Sequence, residues 1–204
     1  MDTAVALVQA YLRVNGYFTV AEYPVLEAQG NGPARTVTDL DILALRLHRA
    51  PGYDGIVPSG PDPALGADPD TADMIVGEVK EGSPHLNPAM RDPAVLEAAF
   101  ARFGCCPPEA AEDLARDLLR HGRVVAPAGH VIRLVVFGNP YAAVSGEQQW
   151  HTVSFEQVFA YVQRHLSQHW SAVGHTQIKD DALGLLALLE KSRRARRRGA
   201  QGGL

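Results

Sequence analysis

Apolar side chains at Val5, Leu7, Val8, Tyr11 and Leu12 recur along one helix face, predicting a helix over residues 2–14 that closes at Asn15-Gly16. Residues 17–27 (YFTVAEYPVLE) are aromatic and β-branched and predict a strand, which Pro24 places at a bend or a sheet edge. A turn rich in Gly, Asn and Pro over 28–36 leads into a second strand over 37–47 (VTDLDILALRL). Residues 48–72 carry Pro, Gly and Asp without any period, and a loop of that length is either mobile or functional. The run 73–80 (DMIVGEVK) is mostly apolar, as expected of a central strand buried on both faces. Helices over 93–103 and 108–121, a buried strand over 131–137 (VIRLVVF) and helices over 154–170 and 180–191 follow.

This order predicts an α/β fold: a mixed central sheet flanked by helices, with further helices at the C-terminal end. One domain is expected over 1–191, its core at about 1–140 and its C-terminal helices at about 150–191. The polar, Arg- and Gly-rich segment 192–204 is expected to be a disordered basic tail.

Charge changes the picture locally. The chain has 204 residues, with 19 basic against 23 acidic side chains. Of the basic residues, 16 are Arg and only three are Lys: Lys80, Lys179 and Lys191. The last fourteen residues hold six basic groups and no acid, so the rest has 13 basic against 23 acidic residues, a net of −10. Any face that meets a polyanion must therefore be local. Arg193, Arg194, Arg196, Arg197 and Arg198 are the candidate nucleic-acid contacts. No apolar run approaches the length of a membrane span, and Met1-Asp2-Thr3 lacks the basic start of a signal peptide, so a cytoplasmic protein without a membrane partner is expected. Cys105 and Cys106, the only cysteines, are adjacent, unsuited to a disulfide and too few for structural zinc. His165 and His169 have i, i+4 spacing but no evident third ligand. GxSxG, P-loop and GxGxxG motifs are absent.

The informative cluster lies on the second and third strands. Strand side chains alternate between faces, so Asp39 and Asp41 are expected to share a face of the second strand, and Glu78 and Lys80 a face of the third. Charges on inner strands are costly without partners. A lysine at 80 is notable in a chain that has 16 Arg against three Lys, because a compact ammonium and a planar guanidinium are not interchangeable. Carboxylates at 41 and 78 suit a hard divalent cation such as Mg²⁺. Lys80 would orient or help deprotonate an attacking water, or stabilise charge developing on a phosphate.

The segments Thr38-Asp-Leu-Asp-Ile-Leu-Ala44 and Val76-Gly-Glu-Val-Lys80, preceded by a helix ending in Gly16-Tyr17, resemble the core of the PD-(D/E)xK nuclease superfamily. The likeness is to its restriction-endonuclease-like and Holliday-junction-resolvase-like branches and covers roughly residues 5–82. It implies a metal-dependent nuclease hydrolysing phosphodiester bonds, of DNA in the first instance, with Mg²⁺ as cofactor and Mn²⁺ as a substitute. Carried over by position, Asp41 and Glu78 are the metal-binding carboxylates, the Val79 carbonyl a further ligand and Lys80 the catalytic lysine. Many members also carry a glutamate in the first helix; here that helix has only Asp2, and Glu22 on the first strand is the candidate for the role. Asp39 competes with Asp41, which is preferred because the apolar run follows it directly. A non-catalytic nucleic-acid- or protein-binding module that keeps the fold is the alternative. Many such nucleases act as dimers, so a homodimer or larger complex is a further expectation.

Overall fold

The computed structural model describes residues 2–27, 35–48, 60–140 and 148–201. Residues 28–34 of the expected turn, 49–59 of the expected loop, the end of the tail at 202–204 and the side chain of Arg198 lie outside the described residues.

The chain begins with α1 (Thr3–Val14), capped by the Asp2 carboxylate on the Ala4 amide at 2.6 Å. Gly16, at φ +85°, turns the chain into β1 (Phe18–Glu27), which pairs antiparallel with β2 (Arg35–Arg46). β2 pairs antiparallel with β3 (Asp73–Val79). A crossover through α2 (Pro93–Phe103) and α3 (Pro108–His121) leads past β4 (Arg123–Val125) to β5 (Val131–Phe137), which lies parallel to β3. β6 (His151–Val153) pairs parallel with the end of β5, and α4 (Phe155–Gln168), the short α5 (Trp170–Val173) and α6 (Asp181–Gln201) complete the fold. The strand order is β1-β2-β3-β5-β4, with β6 beside β5. This is the expected mixed sheet flanked by helices, C-terminal helices included.

Each sheet face carries its own core. Tyr11, Leu12, Ile42, Ile75, Phe137 and Val158 pack on the side of α1, α4 and α6. Leu43, Val76, Leu96, Phe100, Leu118 and Leu134 pack on the side of α2 and α3. β5 sends Val135 and Phe137 to the first core and Ile132, Leu134 and Val136 to the second, which is why VIRLVVF is apolar throughout. β3 is central, as expected, and β1, with Pro24, is an edge strand.

The elements differ from the sequence reading in three places. The segment 192–201 continues α6 as helix rather than forming a disordered tail. Two short strands, β4 and β6, went unread because three residues cannot display a period. The described part of the long loop, expected to be either mobile or functional, is anchored. Leu65 is buried in a 3₁₀ turn, and Arg46 donates to the carbonyls of Asp68 and Pro69 at 2.5 and 3.0 Å.

Candidate active site

The last paired residues of β2 and β3 are Ile42 and Gly77. One step further the ladder gives way to a side chain: the Val79 N–H donates to Asp41 Oδ2 at 2.8 Å, where a β2 carbonyl would otherwise accept. The Lys80 N–H points the other way, to the Phe137 carbonyl of β5 at 2.8 Å. A strand residue directs its N–H and C=O toward the same neighbour, so the Val79 carbonyl opens on the Asp41 side.

Glu78 and Lys80 share the α2-side face of β3, and the Lys80 ammonium donates to Glu78 Oε1. The same Nζ lies 3.8 Å from Asp41 Oδ2. Thus the three expected residues meet at one point, two carboxylates from different strands facing one cation. Glu78 is buried, while about a quarter of the Lys80 and Asp41 side chains reaches solvent (23% and 26%). Burial pushes the Glu78 carboxyl above its ordinary range; the Lys80 hydrogen bond opposes the rise and the Asp41 charge adds to it.

The backbone beneath is tightly packed. A Cβ on Gly77 would sit 3.1 Å from Ile42 Cβ, so a side chain there would require Ile42 to give way. At Gly138, following β5, a Cβ would lie 3.1 Å from the carbonyl oxygens of both Lys80 and Gly82. The Asn139 N–H donates to the Gly82 carbonyl at 3.0 Å, and Asn139 Oδ1 accepts the Phe155 N–H at 3.2 Å. These contacts hold the strand end that carries Lys80. Gly77, Gly138 and Asn139 were missed in the sequence, where an isolated glycine gives no sign of which backbone passes over it.

Asp39 does not join this group. It is exposed and paired in register with Pro24. Leu40 and Leu43 both pack in the α2-side core although they lie three positions apart, an offset that puts strand residues on opposite faces. The alternation that predicted a shared face for Asp39 and Asp41 therefore slips between them.

The slip coincides with Glu22, a non-glycine residue at φ +51°. Its neighbours pair as Ala21 with Ile42 and Tyr23 with Leu40, so Glu22 stands across from Asp41. A left-handed residue inside a strand is strained and is found preferentially next to functional sites. Glu22 Oε1 accepts the Asp2 amide at 3.0 Å, at the positive end of α1, which tethers the kink to the helix.

The remaining candidates are placed elsewhere. Arg194 bonds Glu190 at 2.7 Å and lies 4.7 Å over the Trp170 ring, so its guanidinium serves the fold. Arg193, Arg196 and Arg197 are exposed along α6. Cys105 is buried with its thiol 3.4 Å from the Met74 sulfur, and burial, with Cys106 beside it, pushes the thiol up to about 11; this is a packing residue. The His165 and His169 rings lie 4.7 Å apart, and among the described residues no group of three or more His, Cys, Asp or Glu side chains gathers as a metal cluster.

Comparison with protein-family models, curated proteins and solved structures yields no match. Among the described residues no helix is long and apolar enough to cross a membrane.

Proposed function

We propose that the chain is a metal-dependent phosphodiesterase acting on nucleic acid, with DNA the first substrate to test, and that Asp41, Glu78 and Lys80 form its active site. The observation that carries this reading is the meeting of two carboxylates from adjacent strands on one ammonium, at the point where the strands stop pairing. The resemblance of the Asp41 and Glu78-Val79-Lys80 segments to PD-(D/E)xK nucleases points the same way.

The donor set fits a hard divalent cation. Asp41 and Glu78 already face one positive charge, the Val79 carbonyl opens beside them, and oxygen-only ligation with few protein groups suits Mg²⁺ and tolerates Mn²⁺. When bound, such an ion supplies Lewis-acid polarisation of a phosphoryl oxygen and a more acidic water.

The chain's own groups do the rest. The Val79 N–H fixes Asp41 in one orientation. Glu78, desolvated by its burial, favours any cation that compensates its charge. Lys80 places an ammonium within a hydrogen bond of Glu78, from where it can swing to a phosphoryl oxygen or orient a water for in-line attack. The Phe137 and Gly138 contacts hold the Lys80 backbone during this exchange.

The non-catalytic reading has one observation in its favour, since the Lys80 ammonium bonds Glu78 and offsets part of its charge. Incubation of the purified chain with duplex, single-stranded and branched DNA and with RNA, in Mg²⁺ or Mn²⁺, separates the two. Cleavage that disappears in Lys80→Ala and Asp41→Asn, both still folded, is the expected result. Nucleic-acid binding without cleavage, unchanged in both variants, would establish the module instead.

A further inference from the structure

Helix α6 has two distinct faces. The inner one carries Leu186 and Ala187, buried in the core shared with α1 and α4, followed by Glu190 and Arg194, whose guanidinium also bonds Ser167. The outer one exposes Leu185 and Leu188, each 60% accessible, and Leu189, 50% accessible. At about 100° per residue, Asp181, Leu185, Leu188, Leu189, Ser192 and Arg196 fall on a single stripe opposite the buried face. The stripe is ordered by charge: an exposed acid at the start, leucines in the middle, an exposed base at the end. The 4-3-4 spacing of residues 181, 185, 188 and 192 is the spacing of a helix–helix seam.

We propose that this stripe is a self-association surface on which a second copy of the chain lays its own α6 antiparallel. A two-fold axis passing between Leu188 and Leu189 brings the leucines of both copies into one apolar centre. The same axis sets Asp181 of each copy beside Arg196 of the other, because the two residues lie equally far from the axis along the helix. A parallel pairing would place acid on acid and base on base, so the charge order selects one geometry. An anionic lipid surface fits less well, since Asp181 lies on the apolar stripe itself. A nucleic acid would use the arginines but leave the leucines without a role. The proposal is independent of the nuclease reading.

Sedimentation velocity of the full chain from micromolar to submillimolar concentration tests it. The expected result is a concentration-dependent monomer–dimer equilibrium. Leu188→Glu should be monomeric throughout and Leu188→Gln weakened, both with unchanged far-ultraviolet circular dichroism, because the side chain faces solvent. Asp181→Arg and Arg196→Asp should each weaken association about tenfold, and the double charge swap should restore it to within about threefold of the parent. A chain that is monomeric at every concentration overturns the proposal. So does a dimer indifferent to the leucine and charge variants. A monomeric chain that sediments with phosphatidylserine vesicles in a Leu188-dependent manner overturns it in favour of a lipid surface.

Discussion

The two ends of β3 both carry a carboxylate facing a cation, but they are built to opposite designs. At the start of the strand, Arg133 clasps Asp73 through Nε and Nη2 at 2.7 and 2.8 Å, Tyr17 donates to the same carboxylate at 2.6 Å, and Arg133 Nη1 reaches the Leu65 carbonyl at 2.7 Å. Both charged side chains are buried (7% and 3% accessible). Although burial alone would lower the Arg133 pKa, the bonds and charge of Asp73 outweigh it and hold the guanidinium charged. At the far end, Glu78 has a single flexible ammonium, Asp41 is satisfied by a backbone amide, and both Lys80 and Asp41 open to solvent. A bidentate, closed pair locks structure. A monodentate, half-open one leaves room for exchange, as the proposed site requires.

The largest effect should come from breaking the open end. Asp41→Asn keeps an oxygen to accept the Val79 N–H but removes the charge, and Lys80→Ala removes the ammonium. Each should lower metal-dependent cleavage by about a thousandfold or more. Asp41→Asn, at a side chain about a quarter exposed (26%), should cost only about 0–1 kcal/mol of stability, whereas Lys80→Ala leaves the buried Glu78 without its cation and should cost more, unless Glu78 takes up a proton. A variant that unfolds rather than merely losing cleavage would mean that the two ends of the strand are alike.

Asp73→Asn is the counterpart at the closed end. It leaves Arg133 buried without a counter-charge, and urea denaturation should show a loss of about 3–5 kcal/mol. Replacing both partners together, as Asp73→Leu with Arg133→Met, should cost clearly less than the single change, because no uncompensated charge remains. A single substitution that costs under about 1 kcal/mol would contradict the closed-pair description.

The sequence carried more of the open end than of the closed one. Asp41, Glu78 and Lys80 were legible because charged residues interrupt apolar strands there, and because one of only three lysines stands in a chain with 16 arginines. Asp73 was read only as the start of a strand, since its partner lies sixty residues away and pairs through a parallel register that no local pattern encodes. The mixed sheet followed from the order of periodic segments. What escaped was whatever depends on a break in periodicity. The left-handed Glu22 and the slip that parts Asp39 from Asp41 arise from the strand's path over the core. The helical state of 192–201 escaped because composition was weighed there, whereas Arg194 anchors the helix through Glu190, Ser167 and Trp170.

The backbone over the site gives a smaller, graded test. Gly138→Ala would push a methyl group against the carbonyl oxygens of Lys80 and Gly82, neither the end of a flexible side chain. A stability loss of about 1–3 kcal/mol is expected, with cleavage lowered further as Lys80 shifts. Gly82→Ala, where a Cβ meets nothing within 4 Å, is the matched control and should leave cleavage near the parent level. If the two variants behave alike, the close approach at Gly138 does not position Lys80.

The smallest effect is the most discriminating. Burial raises the Glu78 carboxyl in the fold despite Lys80, so the native state holds this proton to higher pH than the unfolded chain does. Its contribution to stability is therefore complete below the ordinary carboxylate range and is lost as pH rises through the raised one. Glu78→Gln mimics the protonated form, so in metal-free buffer its melting temperature should match the parent in acid. It should then exceed the parent by about 2–4 °C as pH rises towards neutrality. Adding Mg²⁺ should reverse the order, stabilising the parent by favouring the deprotonated carboxylate and leaving the Gln variant unmoved. The opposite trend, with the parent gaining over Glu78→Gln as pH rises and Mg²⁺ changing nothing, would show that Lys80 alone satisfies the charge. The far end of β3 would then be a second structural pair, and the proposed chemistry would lose its metal.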